Sequence, residues 1–270
     1  MAEQRPAFDP DAARRLHGVL IEELTRDGLL DDQAIAAAFR AIPRHHFLPG
    51  YQLEEIYADK AVAVKREGDE WVSSSSQPAM MAIMLAQLAL APGQRVLEVG
   101  AGTGYNAALI AQIVGPQGRV VSLEIDDDLV VAARANLAAA GVVGVEVRCG
   151  DGALGAPDAA PFDRIIVTVG AWDVLPAWRE QLATGGRIVV PLTLLPGMML
   201  SLALEQRGDH WVAVSARPCG FLLMRGSAAH PERSWGLPQI DLYPRATRGA
   251  SLRMAASIEK EWNRYELRWG

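Results

Sequence analysis

Val96-Leu97-Glu98-Val99-Gly100-Ala101-Gly102-Thr103-Gly104 is the stretch on which the reading of this chain turns. Val96, Leu97 and Val99 are residues suited to a buried parallel strand. Gly100, Gly102 and Gly104 then let the backbone turn sharply and pass close to a bound molecule. Tyr105 to Val114, rich in Ala, Leu and Ile, predicts a helix whose first amides face whatever occupies the turn.

Working outward, the spacing Gly-x-Gly-x-Gly differs from the Gly-x-Gly-x-x-Gly of dinucleotide folds, whose helix end holds a pyrophosphate. A second strand ends at Glu124, about twenty residues past Gly104, where an acidic side chain can accept both hydroxyls of a ribose. A nucleoside ligand without a pyrophosphate fits best, and S-adenosylmethionine (SAM) is the commonest such cofactor. The plainer alternative is a glycine turn closing an ordinary strand-helix unit.

From Pro92 the pattern alternates strand and helix. Strands are expected at Arg95–Val99, Val120–Glu124, Val145–Cys149, Arg164–Val169 and Arg187–Pro191, the last after a Gly185-Gly186 turn. Helices are expected at Asn106–Val114, Leu129–Ala140 and Leu175–Leu182. An antiparallel hairpin, Met199–Glu205 with His210–Ser215, finishes the sheet. This predicts an α/β, doubly wound Rossmann-like sheet, mostly parallel, whose ligands sit beyond the carboxyl ends of the strands. Cys149-Gly150-Asp151-Gly152 ends the third strand on that edge. There Asp151 can accept an adenine amino proton while Gly152 leaves room for the ring; the alternative is an ordinary Asp-Gly turn.

Before the sheet, Asp9-Pro10 opens a helix that Gly28 ends, and Asp31-Asp32 opens a second that Pro43 stops. These form an N-terminal helical and hairpin cap over about residues 1–91. The hairpin spans Lys60–Val72 around a Lys65–Glu70 turn. Ser73-Ser74-Ser75-Ser76-Gln77-Pro78 follows. It is either a loop capping the helix Pro78–Leu90, or a hydroxyl-lined pocket for an anionic group. His45 and His46 lack further ligands nearby, so a packing or solvated role is expected and no metal site.

The chain has 270 residues, half of them apolar, a formal net charge of −6, and two isolated cysteines, Cys149 and Cys219. That suits one large α/β domain with additions, without a disulfide framework or a nucleic-acid-binding character. Glu3, Arg5 and Asp9 stand where a signal peptide needs an apolar core, and the longest apolar run, Ala79–Pro92, is interrupted by Gln87. The expectation is a cytoplasmic protein without nucleic-acid or membrane partners. Residues 1–226 are expected to form the catalytic domain and 227–270 a C-terminal extension, with a helix from about Ser251 to Tyr265. Trp235, Tyr243, Trp262, Tyr265 and Trp269 in it serve either packing or recognition of a polypeptide.

Several pieces resemble, in order, the protein-L-isoaspartate O-methyltransferase family. They are Ala41-Ile42-Pro43-Arg44-His45-His46-Phe47-Leu48-Pro49, Ile56-Tyr57-Ala58-Asp59, Ser76-Gln77-Pro78, Val96 to Tyr105, Glu124, Gly150-Asp151-Gly152, Ala160-Pro161-Phe162-Asp163, and Gln181 to Pro191. The resemblance implies a SAM-dependent carboxyl methyltransferase acting on a protein or peptide that carries isoaspartate or aspartate. It implies Ser76 at the methyl-acceptor site, flanked by Ser74, Ser75 and Gln77. Donor contacts are implied at Glu98, Gly100, Gly102, Thr103, Gly104, Glu124, Asp151 and Gly152. Ser74-Ser75 replaces the family's usual Thr-Ile, Gly170-Ala171-Trp172-Asp173 replaces an Ala-rich segment, and about forty residues extend past the usual end. These departures concern the acceptor and leave open a relative that methylates one chosen aspartate of a ribosomally made peptide. A non-catalytic SAM- or peptide-binding module is the remaining alternative.

Overall fold

The computed structural model describes residues 8–195, 198–208 and 210–229, and the backbone of 241–244 and 265–268. Local chemistry sets the cap. Asp9 Oδ1 accepts from the Asp11 and Ala12 amides and opens α1, Pro10–Arg26; Asp32 does the same for α2, Gln33–Ala41. A 3₁₀ turn, Arg44–Phe47, and the short α3, Leu53–Ile56, lead into the hairpin β1, Val62–Glu67, and β2, Glu70–Ser75. The turn is tighter than the sequence suggests, because Glu67 pairs directly with Glu70. Ser73, Ser74 and Ser75 belong to β2 rather than a loop, opposite Lys65, Ala63 and Val62.

The helix α4, Pro78–Leu88, precedes the sheet. Seven strands follow: β3, Arg95–Val99; β4, Arg119–Glu124; β5, Val145–Cys149; β6, Phe162–Val167; β7, Leu182–Leu195; β8, Met198–Arg207; and β9, His210–Cys219. They lie in the order β5-β4-β3-β6-β7-β8-β9, parallel up to β7 and antiparallel across β7-β8 and β8-β9. Gly185 and Gly186, expected to form a turn before the fifth strand, lie inside β7. The mismatch is absorbed by a register shift between Phe162 and Arg164 on β6.

The strands alternate in what they bury. Val96, Val120, Val147, Ile166 and Val189 face a core shared with α1, α2, α4, α5 (Tyr105–Val114) and α6 (Asp127–Ala139). Leu97, Val99, Val121, Ile165, Ile188 and Leu202 face a second core built on Trp178 of α7, Pro176–Gln181. With β4 on one side of β3 and β6 on the other, the strand order reverses at β3, and ligands settle at the carboxyl end of the strands at such a point. The expected tail helix falls almost wholly outside the described residues, as do Trp235, Trp262 and Trp269. At its end, Tyr265 lies in a strand, β11 (Tyr265–Arg268), paired antiparallel with β10 (Asp241–Pro244). Tyr265-Glu266-Leu267-Arg268 alternates apolar and polar, which suits a strand.

Candidate functional site

A cleft opens at the carboxyl ends of β3, β4 and β6, the edge of such a sheet where ligands settle. One wall is the turn after β3. Gly100 has φ 99°, and a Cβ there would stand 2.6 Å from Thr168 Oγ1; only glycine lets the turn close onto β6. Gly100, Gly102 and Thr103 line the cleft. Gly104 does not. Its φ is 86°, and a Cβ would press at 3.3 Å on Ala133 O and Leu137, so this glycine lets α5 pack against α6.

Glu124, at the end of β4, is 6% exposed and lines the cleft. Its Oε2 accepts from the Gly102 amide at 2.8 Å, and its Oε1 from the Ile125 and Asp126 amides at 2.9 and 3.3 Å. The carboxylate is therefore held in place before any ligand arrives, tied to the glycine turn itself.

Glu98, expected among the donor contacts, lies outside the lining. It is wholly enclosed and accepts from Asn106 Nδ2 at 2.8 Å and from the Ser122 hydroxyl. Burial pushes its carboxyl up to about 7, against the two hydrogen bonds and with a smaller push from Glu124. The period of the strand explains the correction: Val99 and Leu97 face one core, so Glu98 faces the other.

Asp151 is also displaced from its expected task. Its oxygens accept from the Ala153 amide at 2.9 Å and the Ser227 amide at 2.7 Å, and the residue is absent from the lining, although Gly150 and Gly152 are in it. Burial pushes its carboxyl up, but these amide bonds outweigh it and leave it below the usual range. A Cβ on Gly152 would meet Val99 Cγ1 at 2.3 Å. That glycine makes room for β3, and it also lines the cleft.

The opposite wall is the serine run, Ser73 to Ser76, all four lining the cleft. It approaches the glycine turn closely, with Ser74 O 3.5 Å from where a Gly102 Cβ would stand. Gln77, expected beside the acceptor, faces away. Its amide donates to Asp59 Oδ2 at 2.8 Å, while Asp59 Oδ1 accepts from the Ala79 amide at 2.8 Å. Asp59, not Ser or Gln, caps α4.

Sequence reasoning missed the third wall, Phe221 to Arg225, which follows β9. It is pinned to Gly170 by two bonds of 2.8 Å, Gly170 N to Leu222 O and Met224 N to Gly170 O. Arg225 pairs with Asp126, which Lys65 of β1 approaches at 3.3 Å. No local pattern in Phe-Leu-Leu-Met-Arg announces such a role. Thr168 was missed as well; its hydroxyl donates to Gly100 O at 2.7 Å. His45 packs as expected: its Nδ1 meets the Tyr57 hydroxyl and its ring lies against Phe8 and His46. Burial, aided by His46 and His17, holds it down to about 4.

This donor set fits SAM. Arg225 is the one Lys or Arg among the lining residues, and its charge is already engaged by Asp126. A diphosphate would find no free cation there, whereas a nucleoside bearing a sulfonium meets the anionic Glu124. Asn106 Oδ1, buried in a lining residue and without a hydrogen-bond partner, offers an acceptor for a ligand N–H.

Comparison with known proteins agrees. The model of the family described as protein-L-isoaspartate(D-aspartate) O-methyltransferase (PCMT) matches residues 15–219. The protein-L-isoaspartate O-methyltransferase of Thermotoga maritima is 44% identical over 161 residues, 59% of this chain and 50% of its own length. This chain thus spans half of that relative. The enzyme of the same name from Methylorubrum populi is 40% identical over 223 residues, 82% of this chain and 98% of its own. A solved protein-L-isoaspartate O-methyltransferase superposes with a TM-score of 0.72 at 35% identity, over 79% of this chain and 67% of that one. With a glycine turn, an amide-held acid and a serine wall meeting at one cleft of a Rossmann-like sheet, the chain belongs to the PCMT family of SAM-dependent methyltransferases.

Proposed function

We propose that in the family's reaction, methyl transfer from SAM to the carboxylate of an L-isoaspartyl or D-aspartyl residue, this chain divides the work between two walls of its cleft. Gly100, Gly102 and Glu124 hold the donor, with Thr103 and Gly152 alongside. Ser76, backed by Ser74 and Ser75, aligns the acceptor. The observation that carries the reading is the closeness of those walls, Ser74 O lying 3.5 Å from where a Gly102 Cβ would stand.

SAM supplies a methyl group on a positively charged sulfur, an electrophile that a carboxylate oxygen can displace in line. An acceptor carboxylate is already ionised at neutral pH, so the protein has no proton to remove. In keeping with this, Glu124, the carboxylate among the lining residues, is held by backbone amides, with acceptor capacity left on Oε2, rather than poised beside a nucleophile. What the chain contributes is alignment and partial exclusion of water. Ser76 donates a hydrogen bond that orients the acceptor, and the Phe221–Arg225 wall covers the donor side. The product in the family is a methyl ester that collapses to a succinimide and reopens in part to normal aspartate.

Ser76→Ala is expected to lower kcat on an isoaspartyl peptide about tenfold or more, as loss of an aligning contact does, with SAM affinity by calorimetry close to wild type. A trapped covalent adduct on Ser76, or collapse of SAM binding in the variant, would show the assignment wrong. Residues 227–270, the expected extension, lie beyond the family match and favour a second reading, in which they select one dedicated polypeptide. Methylation assays comparing isoaspartyl with ordinary aspartyl peptides separate the two, since only the second reading predicts activity on ordinary aspartate.

A further inference from the structure

Ser76 stands on a linker that two side chains grip from opposite directions. Arg44, in the turn after α2, is 0% exposed. Its Nη2 donates to Ser76 O at 2.9 Å, Ser75 O at 3.2 Å and Ser75 Oγ at 3.3 Å. Its Nη1 donates to Ile56 O at 2.9 Å and, at longer range, to Ala58 O and Lys60 O. Two backbone segments, 56–60 and 75–76, are thereby gathered on one guanidinium. Asp59 takes the other side of the linker, accepting from Gln77 Nε2 and the Ala79 amide, each at 2.8 Å. Carbonyls just before the linker's midpoint are held by a cation, and N–H groups just after it by an anion.

We propose that Arg44 and Asp59 are positioning residues for methyl transfer, setting the place of the Ser76 hydroxyl and thereby of the acceptor carboxylate. The proposal rests on the reading of Ser76 given above. Two features separate it from an ordinary structural staple. First, among the described residues no carboxylate lies within ion-pair distance of Arg44; its partners are neutral oxygens. A buried cation held by carbonyls and a hydroxyl, with Asp59 acting on it only at a distance, is not neutralised by a paired carboxylate. Ser75, Ser76 and Tyr105, its neighbours, line the cleft, so its field favours an anion on the Ser76 side. Second, Asp59 reaches no residue of the donor side; its bonds end on Gln77 and Ala79. Burial lowers Arg44 to about 10, against the opposing pull of Tyr105, Asp59 and Tyr57, which leaves it charged at neutral pH.

The test uses the full-length protein with Arg44→Lys and Asp59→Asn, each alone and combined with Ser76→Ala. The expected result is kcat on an isoaspartyl peptide lowered about tenfold or more, the scale of a misplaced reacting group. SAM affinity by calorimetry should stay within about twofold, and Ser76→Ala should cost little further in either background. Equal cost of Ser76→Ala in variant and wild-type backgrounds overturns the proposal, as does unchanged kcat in both single variants. A second measurement needs no variant: the guanidinium proton resonances of Arg44 in wild-type protein saturated with S-adenosylhomocysteine should shift when the isoaspartyl peptide is added. Unmoved resonances overturn the proposal even if Arg44→Lys fails to fold. If Ser76→Ala alone leaves turnover intact, the reading of Ser76 falls and takes the proposal with it. If Ser76→Ala lowers turnover while Arg44→Lys and Asp59→Asn do not, the proposal alone falls.

Discussion

Glu98 is a carboxylic acid wholly enclosed by protein, and its behaviour with pH should be visible in stability. Its carboxyl is raised to about 7 chiefly by burial. In the unfolded chain it titrates near 4.3. Between these values the folded state holds a proton that the unfolded state has released, so stability falls as pH rises through this window and levels off above it. The expected contribution is on the order of 4 kcal/mol across the window, using ~1.4 kcal/mol per pH unit. Glu98→Gln keeps the shape and removes the titration. Urea midpoints measured from pH 4.5 to 8 should slope less in the variant than in wild type, and identical slopes would refute the assignment. Glu124, on the neighbouring strand, is 6% exposed, lines the cleft and is fixed by three amides. Glu124→Ala is expected to weaken SAM binding by about 1.5–3 kcal/mol for each charged hydrogen bond lost. Unchanged affinity in a calorimetric titration would remove Glu124 from the donor site.

At the scale of elements, the cleft is closed by pieces far apart in the chain. The β1-β2 hairpin supplies the serine wall and Lys65, the start of α6 supplies Asp126 and Asp128, and the segment after β9 supplies Arg225. Lys65 Nζ lies 2.8 Å from Asp128 and 3.3 Å from Asp126, and Arg225 pairs with Asp126 as well. The Arg225 hydrogen bond holds the Asp126 carboxyl below its usual range, with Lys65 adding to it. These groups are partly exposed, so each pair contributes ~1 kcal/mol or less and is screened by salt. Arg225→Met should therefore raise the Kd for SAM only about two- to fivefold, the range such pairs allow. Its Kd should also change less with added salt than that of wild type. Titrations at low and high ionic strength check this, and an unchanged Kd would show that the wall stands on the Gly170 bonds alone.

For the whole molecule, the question is how the last residues relate to the rest. We propose that 1–226 form the methyltransferase domain and 227–270 an extension that packs on it, because the backbone of β11 lies beside β9, an edge strand of the sheet. Covering an edge removes a template for pairing with other chains. Truncation after Ala229 should therefore lower Tm, promote aggregation and reduce turnover on short and full-length acceptors alike. An unchanged Tm with loss of only the full-length acceptor would favour recognition instead. Much of this was legible in the linear sequence. Strand and helix periods, Asp9-Pro10 and Asp32 as caps, the glycine turn and Glu124 are all matters of neighbouring residues, and such physics is written locally. The serine wall was visible as composition, but not as the strand that β1 makes of it. Tertiary structure alone decided the rest. Glu98 sits in the signature turn yet faces the core, because strand alternation and α5 enclose it. Asp151 is spent on the Ser227 amide, a partner 76 residues away, and Phe221–Arg225 becomes a wall only where Gly170 and Asp126 receive it. Gripping Ser76 between Arg44 and Asp59 requires three segments to meet at one buried charge. Side-chain identity shows what a residue can do; which partner it does it with depends on distances through space that chain spacing does not contain.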